Sequence, residues 1–141
     1  MGNSKAINAF GHFLAIYIAE NYTNVALQRP DHRGGLPIGR LRQIEDYVCA
    51  HLAESISIEM LAKLADLSPF HFSRVFKQAT GITPLQFVIR ERMLQARRLI
   101  RETSRSLIEI ALEVGYTNPS HFAQVFRQTV GMAPRQFRNA L

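Results

Sequence analysis

The chain has 141 residues, 47% of them hydrophobic and 20% charged, a balance that fits one compact domain or two small ones and excludes disordered and fibrous classes. Seventeen Lys and Arg against eleven Asp and Glu leave a formal charge of +6, which favours a polyanionic partner, either nucleic acid or an anionic membrane surface. A single cysteine, Cys49, excludes an internal disulfide, and no Cys and His residues stand at the spacing of a structural zinc site.

The first apolar run, Phe13 to Ala19, is far shorter than a membrane span, and no small-residue cleavage pattern follows it. A reducing cytoplasm is the expected location, with no metal and no cofactor. Ile7, Phe10, Leu14, Tyr17 and Ile18 recur at helical spacing and predict an amphipathic helix within residues 1–28. A linker follows at 29–37, where two Pro, two adjacent Gly and alternating charges end the pattern.

Beyond the linker every segment reads as helix. Leu41, Ile44, Val48 and Leu52 mark one helix, Ser57 caps a second, and Ser68-Pro69 opens a third that Gly81 ends. From Pro84 to about Arg101 one long run contains neither Gly nor Pro. Its apolar residues predict two buried faces, Leu85, Ile89, Met93, Ala96 and Ile100 on one and Phe87 and Leu94 on another. Thr103 to Ser106 breaks this run, Ser106-x-x-Glu109 has the form of a capping box, and Asn118-Pro119 starts a further helix.

An internal repeat organises these pieces. Residues 68–87 align with 118–137 at an offset of 50 with ten identities in twenty positions. Upstream, Ile58, Leu61, Ala62 and Leu67 match Leu107, Ile110, Ala111 and Tyr116 at an offset of 49, so the second copy carries one extra residue in its turn. Each copy has a short helix with a central Ala, a tight turn at Asp66-Leu67 or Gly115-Tyr116, and a second helix begun by Pro. This is the pattern of a helix-turn-helix, in which the small residue lets two helices cross closely. The expected fold is all-α, with two helix-turn-helix subdomains (38–82 and 103–141) joined by a linker helix (83–102).

Within the second helix of each copy, Phe72, Val75, Phe76 and Ala79, and likewise Phe122, Val125, Phe126 and Val130, form the inward stripe. Outward lie Phe70, Ser73, Arg74 and Lys77 in the first copy and Ser120, Ala123, Gln124 and Arg127 in the second, including side-chain types that pair with base edges and phosphates. A linker helix of about 18 residues would span about 27 Å, comparable to the roughly 34 Å between successive major-groove faces. Arg90, Arg97 and Arg101 share a third face of that helix and are candidate phosphate contacts or a solvated surface.

Together these residues resemble the DNA-binding domain of the AraC/XylS family of bacterial transcription regulators. The matching pieces are Leu61-Ala62, Leu67-Ser68, His71 through Lys77, Gly81-Ile82-Thr83-Pro84, Arg92, Ala96 and Leu99-Ile100. In the second unit they are Ile110-Ala111, Gly115-Tyr116, Ser120-His121-Phe122, Phe126, Gly131, Pro134 and Phe137-Arg138. The resemblance covers about three quarters of the chain and implies about seven helices besides the amino-terminal one, two of them recognition helices in successive major grooves of double-stranded DNA, with activation or repression through contact with RNA polymerase. Carried over by position, it places base reading on Phe70, Ser73, Arg74 and Lys77 and on Ser120, His121, Gln124 and Arg127. Gln124 departs from the Arg common there, which implies a different base at that step.

Further candidate phosphate contacts are His71 and Arg135, although both His71 and His121 also suit local packing or capping. Arg92, with Glu91 and Glu102 near it in sequence, is expected to form an ion pair or pack. Cys49 has no neighbouring base and is not expected to act as a nucleophile. The first 37 residues are too few for the effector domain of longer relatives, so the chain is either a piece of a larger regulator or a compact member. A homodimer through the amino-terminal helix is a further expectation. The competing class is a protein-interaction module that contacts RNA polymerase or another regulator with weak DNA binding. An enzyme is not expected, because the sequence supplies no paired carboxylates, Ser/His/Asp set or phosphate loop.

Overall fold

A computed structural model describes residues 35–141, and the predicted helix within 1–28 lies outside them. Among the described residues there are seven helices and no strand. In chain order they are α1 (Ile38–Ala50), α2 (Ile58–Leu64), α3 (Pro69–Thr80), α4 (Pro84–Glu102), α5 (Leu107–Glu113), α6 (Pro119–Val130) and α7 (Pro134–Asn139).

The helix boundaries follow from side-chain chemistry at each end. Ser57, Ser68 and Ser106 each accept the N–H three residues on, which satisfies donors that the first helical turn leaves without partners. Only this Ser half is seen of the capping box anticipated at Ser106 and Glu109. A complete box occurs instead at Thr83, whose hydroxyl accepts from Gln86 N–H while Gln86 Oε1 accepts from Thr83 N–H. Asn118 does more than Ser68, since its Oδ1 accepts from both Ser120 and His121. Replacing Asn118 by Ala is expected to cost about 1 kcal/mol in urea denaturation. Asn118→Ser, which installs the cap of the first copy, should recover most of that loss.

Sequence duplication becomes structural duplication in the cores. Phe72 packs on Phe76 at 5.6 Å between ring centroids, as Phe122 does on Phe126 at 5.9 Å. Phe76 meets Phe87 edge to face at 5.7 Å, and Phe126 meets Phe137 in the same way at 5.6 Å. Around these rings two separate clusters form. Leu41, Ile44, Val48, Leu61 and Val88 surround the first set, and Met93, Ala96, Ile110 and Val114 surround the second. Thr80 is a buried polar exception where the second copy has Val130, and its hydroxyl bonds to the Phe76 carbonyl at 2.8 Å.

The turns match as well. Ala65 and Asp66 close α2 as Val114 and Gly115 close α5, and the next N–H returns to the small central residue, Leu67 to Ala62 and Tyr116 to Ala111. The residue before that bond is left-handed in both copies, Asp66 at φ 57° and Gly115 at φ 93°.

The linker helix corrects one expectation. Leu85 and Ile89 are 47% and 37% exposed, whereas Phe87, Val88, Met93, Ala96, Leu99 and Ile100 are buried. The inward surface changes because α4 serves the first core with Phe87 and Val88 and the second from Met93 onward. A single stripe drawn along the whole helix therefore fails at its amino-terminal end.

Candidate nucleic-acid interface

The two second helices, α3 and α6, are twelve residues each and are set by the same inward aromatic residues. In α3 the outward arc carries Phe70, 81% exposed, together with exposed Arg74 and Lys77, while Ser73 is half-buried at the edge of the arc. In α6 the exposed residues are Ser120, His121, Gln124 and Arg127, with Ala123 at the half-buried edge. Gln78 and Gln128, identical in the two copies and exposed, extend both arcs one step further. Their repetition four residues after Arg74 and Gln124 is a signal legible in the sequence.

Electrostatics distinguish these helices from their partners. Neither α3 nor α6 has an acidic residue in its first turn, whereas α2 and α5 carry Glu59 and Glu109 there. The capped leading ends of α3 and α6 thus carry no carboxylate to repel an anion, while those of the supporting helices do. His71 is half-buried and His121 is exposed. The His121 ring also lies edge-on to Tyr116 at 5.4 Å, a contact that fixes its direction.

The linker arginines are not equivalent. Arg101 is exposed and Arg90 is half-buried. Arg97 is half-buried with its guanidinium 5.7 Å from the Phe137 ring. Burial, with Arg101 adding repulsion, lowers its pKa to about 10, so it remains a cation at neutral pH. Arg135, in the first turn of α7, is exposed.

Of the two roles expected for it, an ion pair or packing, Arg92 shows packing. Its Nη2 donates to the Glu54 carbonyl at 2.8 Å, and its guanidinium lies 5.6 Å from the Tyr116 ring centroid. Glu102 is instead paired with Arg98 at 3.1 Å, and Arg105 is paired with Glu113.

Cys49 is exposed and its Sγ contacts Glu91 Oε2 at 3.5 Å. Desolvation first, then the Glu91 charge, pushes its pKa up to about 12, which leaves almost no thiolate near neutrality. Burial, then repulsion from Glu91 and Asp46, also raises the carboxyl of Glu45. A raised carboxylate supports the fold below the ordinary glutamate value of ~4.3, and that support is lost as pH rises through the raised value. Glu45→Gln is therefore expected to raise the melting temperature at pH 7, with the gain vanishing in melts below pH ~4.

Among the described residues no group of three or more His, Cys, Asp or Glu gathers as a metal site would require, and no helix is long and apolar enough to cross a membrane.

A family of helix-turn-helix domains, AraC/XylS in type, matches residues 61–140, more than half of the chain. The chain belongs to the AraC/XylS-type helix-turn-helix family. Among curated relatives, an HTH-type transcriptional regulator of Haemophilus influenzae is 30% identical over 115 residues, 82% of this chain and 39% of that protein. The transcriptional activator RhaS of an Enterobacter species is 38% identical over 77 residues, 55% of this chain and 28% of its own. The chain thus spans well under half the length of these regulators. Among solved structures, the DNA-binding domain of AdpA, a global transcriptional factor in complex with a target DNA, superposes with a TM-score of 0.69. It is 35% identical, covering 72% of this chain and 91% of that one. The C-terminal domain of AraT, a response regulator from Geobacillus stearothermophilus, gives 0.69 at 29% identity, covering 72% and 85%. These named relatives are regulators of the AraC type and not enzymes.

Proposed function

We propose that this chain is a sequence-specific, double-stranded DNA-binding transcription regulator that sets α3 and α6 into successive major grooves. The observation that carries the reading is the pair of matching, solvent-facing arcs on α3 and α6, each rooted in its own aromatic core and free of acidic residues at its leading end. α4 supplies the spacing, since its 19 residues give about 28 Å of rise, close to the roughly 34 Å between grooves. The AdpA domain, bound to a target DNA, supports the same reading.

Base reading is assigned to Phe70, Ser73, Arg74 and Lys77 and to Ser120, His121, Gln124 and Arg127. Phosphate contacts are assigned to His71, Arg90, Arg97, Arg101 and Arg135. In domain terms, 38–82 and 103–141 are the two reading units, 83–102 is the spacer, 29–37 is a linker, and 1–28 is an amino-terminal segment, the remnant or the end of an upstream domain. RNA polymerase is the proposed protein partner, activation the proposed sign as in RhaS, the amino-terminal segment the proposed site of homodimerisation, and the cytoplasm the location.

A protein-interaction module is the second reading, favoured by Ile108 and Leu112, 59% and 52% exposed on one side of α5 where the first unit has Glu59 and Lys63. Site selection from random duplex DNA followed by footprinting separates the two. The regulator is expected to enrich one bipartite site and to bind it with a steep negative salt slope. No enrichment and no protection, with salt-insensitive capture of a protein partner, would favour the module.

A further inference from the structure

Resting on the two-groove reading above, we infer that Arg92 is a positioning residue that locks the angle between the two reading units and so sets the half-site spacing the protein accepts. Arg92 stands where α4 passes from one core to the other, between Val88 of the first and Met93 of the second. From that point its side chain reaches both units. Its Nη2 holds the carbonyl of Glu54, in the loop between α1 and α2, and its guanidinium lies against the ring of Tyr116, in the turn of the second helix-turn-helix.

The backbones of the two units also meet at this place. A Cβ on Gly115 would stand 2.4 Å from the Leu52 carbonyl oxygen and 2.9 Å from Arg92 Cζ. The second unit's turn is therefore seated directly on the first unit's loop, with the guanidinium beside that contact. The first unit has Asp66 and Leu67 at the positions of Gly115 and Tyr116. The glycine that permits close approach and the aromatic that takes the cation thus occur only in the copy whose turn faces the other unit.

A planar guanidinium suits this place because it can donate in its plane to a carbonyl while presenting a face to a ring. α4 fixes the distance between the units along its axis. The Glu54, Arg92 and Tyr116 contacts oppose rotation of one unit against the other. Rotation matters to a duplex reader, because each base pair of added spacing turns the second half-site by roughly 34 to 36° as well as moving it about 3.4 Å.

The test measures affinity for the selected bipartite site and for sites with the gap changed by one base pair either way, using wild type, Arg92→Ala, Arg92→Lys and Tyr116→Leu. Tyr116→Leu installs the first copy's own residue and serves if Arg92→Ala does not fold. Wild type is expected to lose at least tenfold for a one-pair change. Arg92→Ala should reduce that discrimination by fivefold or more while binding each isolated half-site as wild type does, Tyr116→Leu should reduce it by more than its own loss of binding to an isolated second half-site, and Arg92→Lys should fall between. A folded Arg92→Ala or Tyr116→Leu protein that keeps the wild-type spacing profile would overturn the inference. A wild type indifferent to spacing would instead overturn the two-groove reading.

Discussion

Phe126→Ala is expected to lower the unfolding free energy by about 3–5 kcal/mol, measured as a fall in urea midpoint at unchanged slope. The ring is fully buried and makes tilted or edge contacts with Phe122 at 5.9 Å and Phe137 at 5.6 Å, so its removal opens a cavity between three helices. Whole domains of this size are stable by only about 5–15 kcal/mol, so much of that margin would go. Because Met93, Ala96 and Ile100 of α4 belong to the same cluster, the damage should reach the linker helix. Amide exchange is therefore expected to accelerate in α5, α6, α7 and the carboxyl half of α4 before it does in α1 and α3. Phe76→Ala supplies the mirror experiment, with the order of exchange reversed. A loss below about 1 kcal/mol in Phe126→Ala would contradict the packing described.

The repeat is the reason so much of this fold could be read from residues alone. An outward face on one helix is ambiguous, but Arg74 and Lys77 over Gln124 and Arg127, with Phe72 and Phe76 over Phe122 and Phe126, fix the same rotation twice. The caps were legible for a local reason, since Ser68-Pro69 and Asn118-Pro119 act within three residues of themselves. Leu85 and Ile89 were misplaced because helical period identifies a stripe and not the body that covers it, and α4 changes bodies midway. The repeat held a warning, for the second copy has Arg135 where the first has Leu85, a side chain suited to water.

Arg92 was legible as important but not in its contacts. Its hydrogen-bond acceptor is a main-chain carbonyl 38 residues away, and any residue at position 54 would offer the same group. Nearby glutamates in sequence suggested an ion pair that the helix geometry gives to Arg98 instead. Asp66 and Gly115 show the same limit in milder form. Their shared left-handed backbone is natural for Gly and less common for Asp, so sequence indicated the turn but not the use of Gly115 against Leu52.

Arg74→Ala is expected to abolish a preference for guanine at one position of the first half-site while leaving the second half-site preference intact. A bidentate arginine to guanine is worth about 1–3 kcal/mol of discrimination, or about 5- to 150-fold between the right and wrong base. Gln124→Arg is the complementary change, since Gln suits adenine and Arg suits guanine. It should move one position of the second half-site from adenine toward guanine without altering the first. Both are read by repeating the site selection with each variant and comparing base frequencies position by position. Salt supplies the control that separates base reading from backbone attachment. If Arg74 met phosphate and not a base, its loss would weaken binding to all sequences alike and reduce the salt slope by about one. Unaltered base frequencies with such a reduced slope would move Arg74 from reading the sequence to holding the duplex.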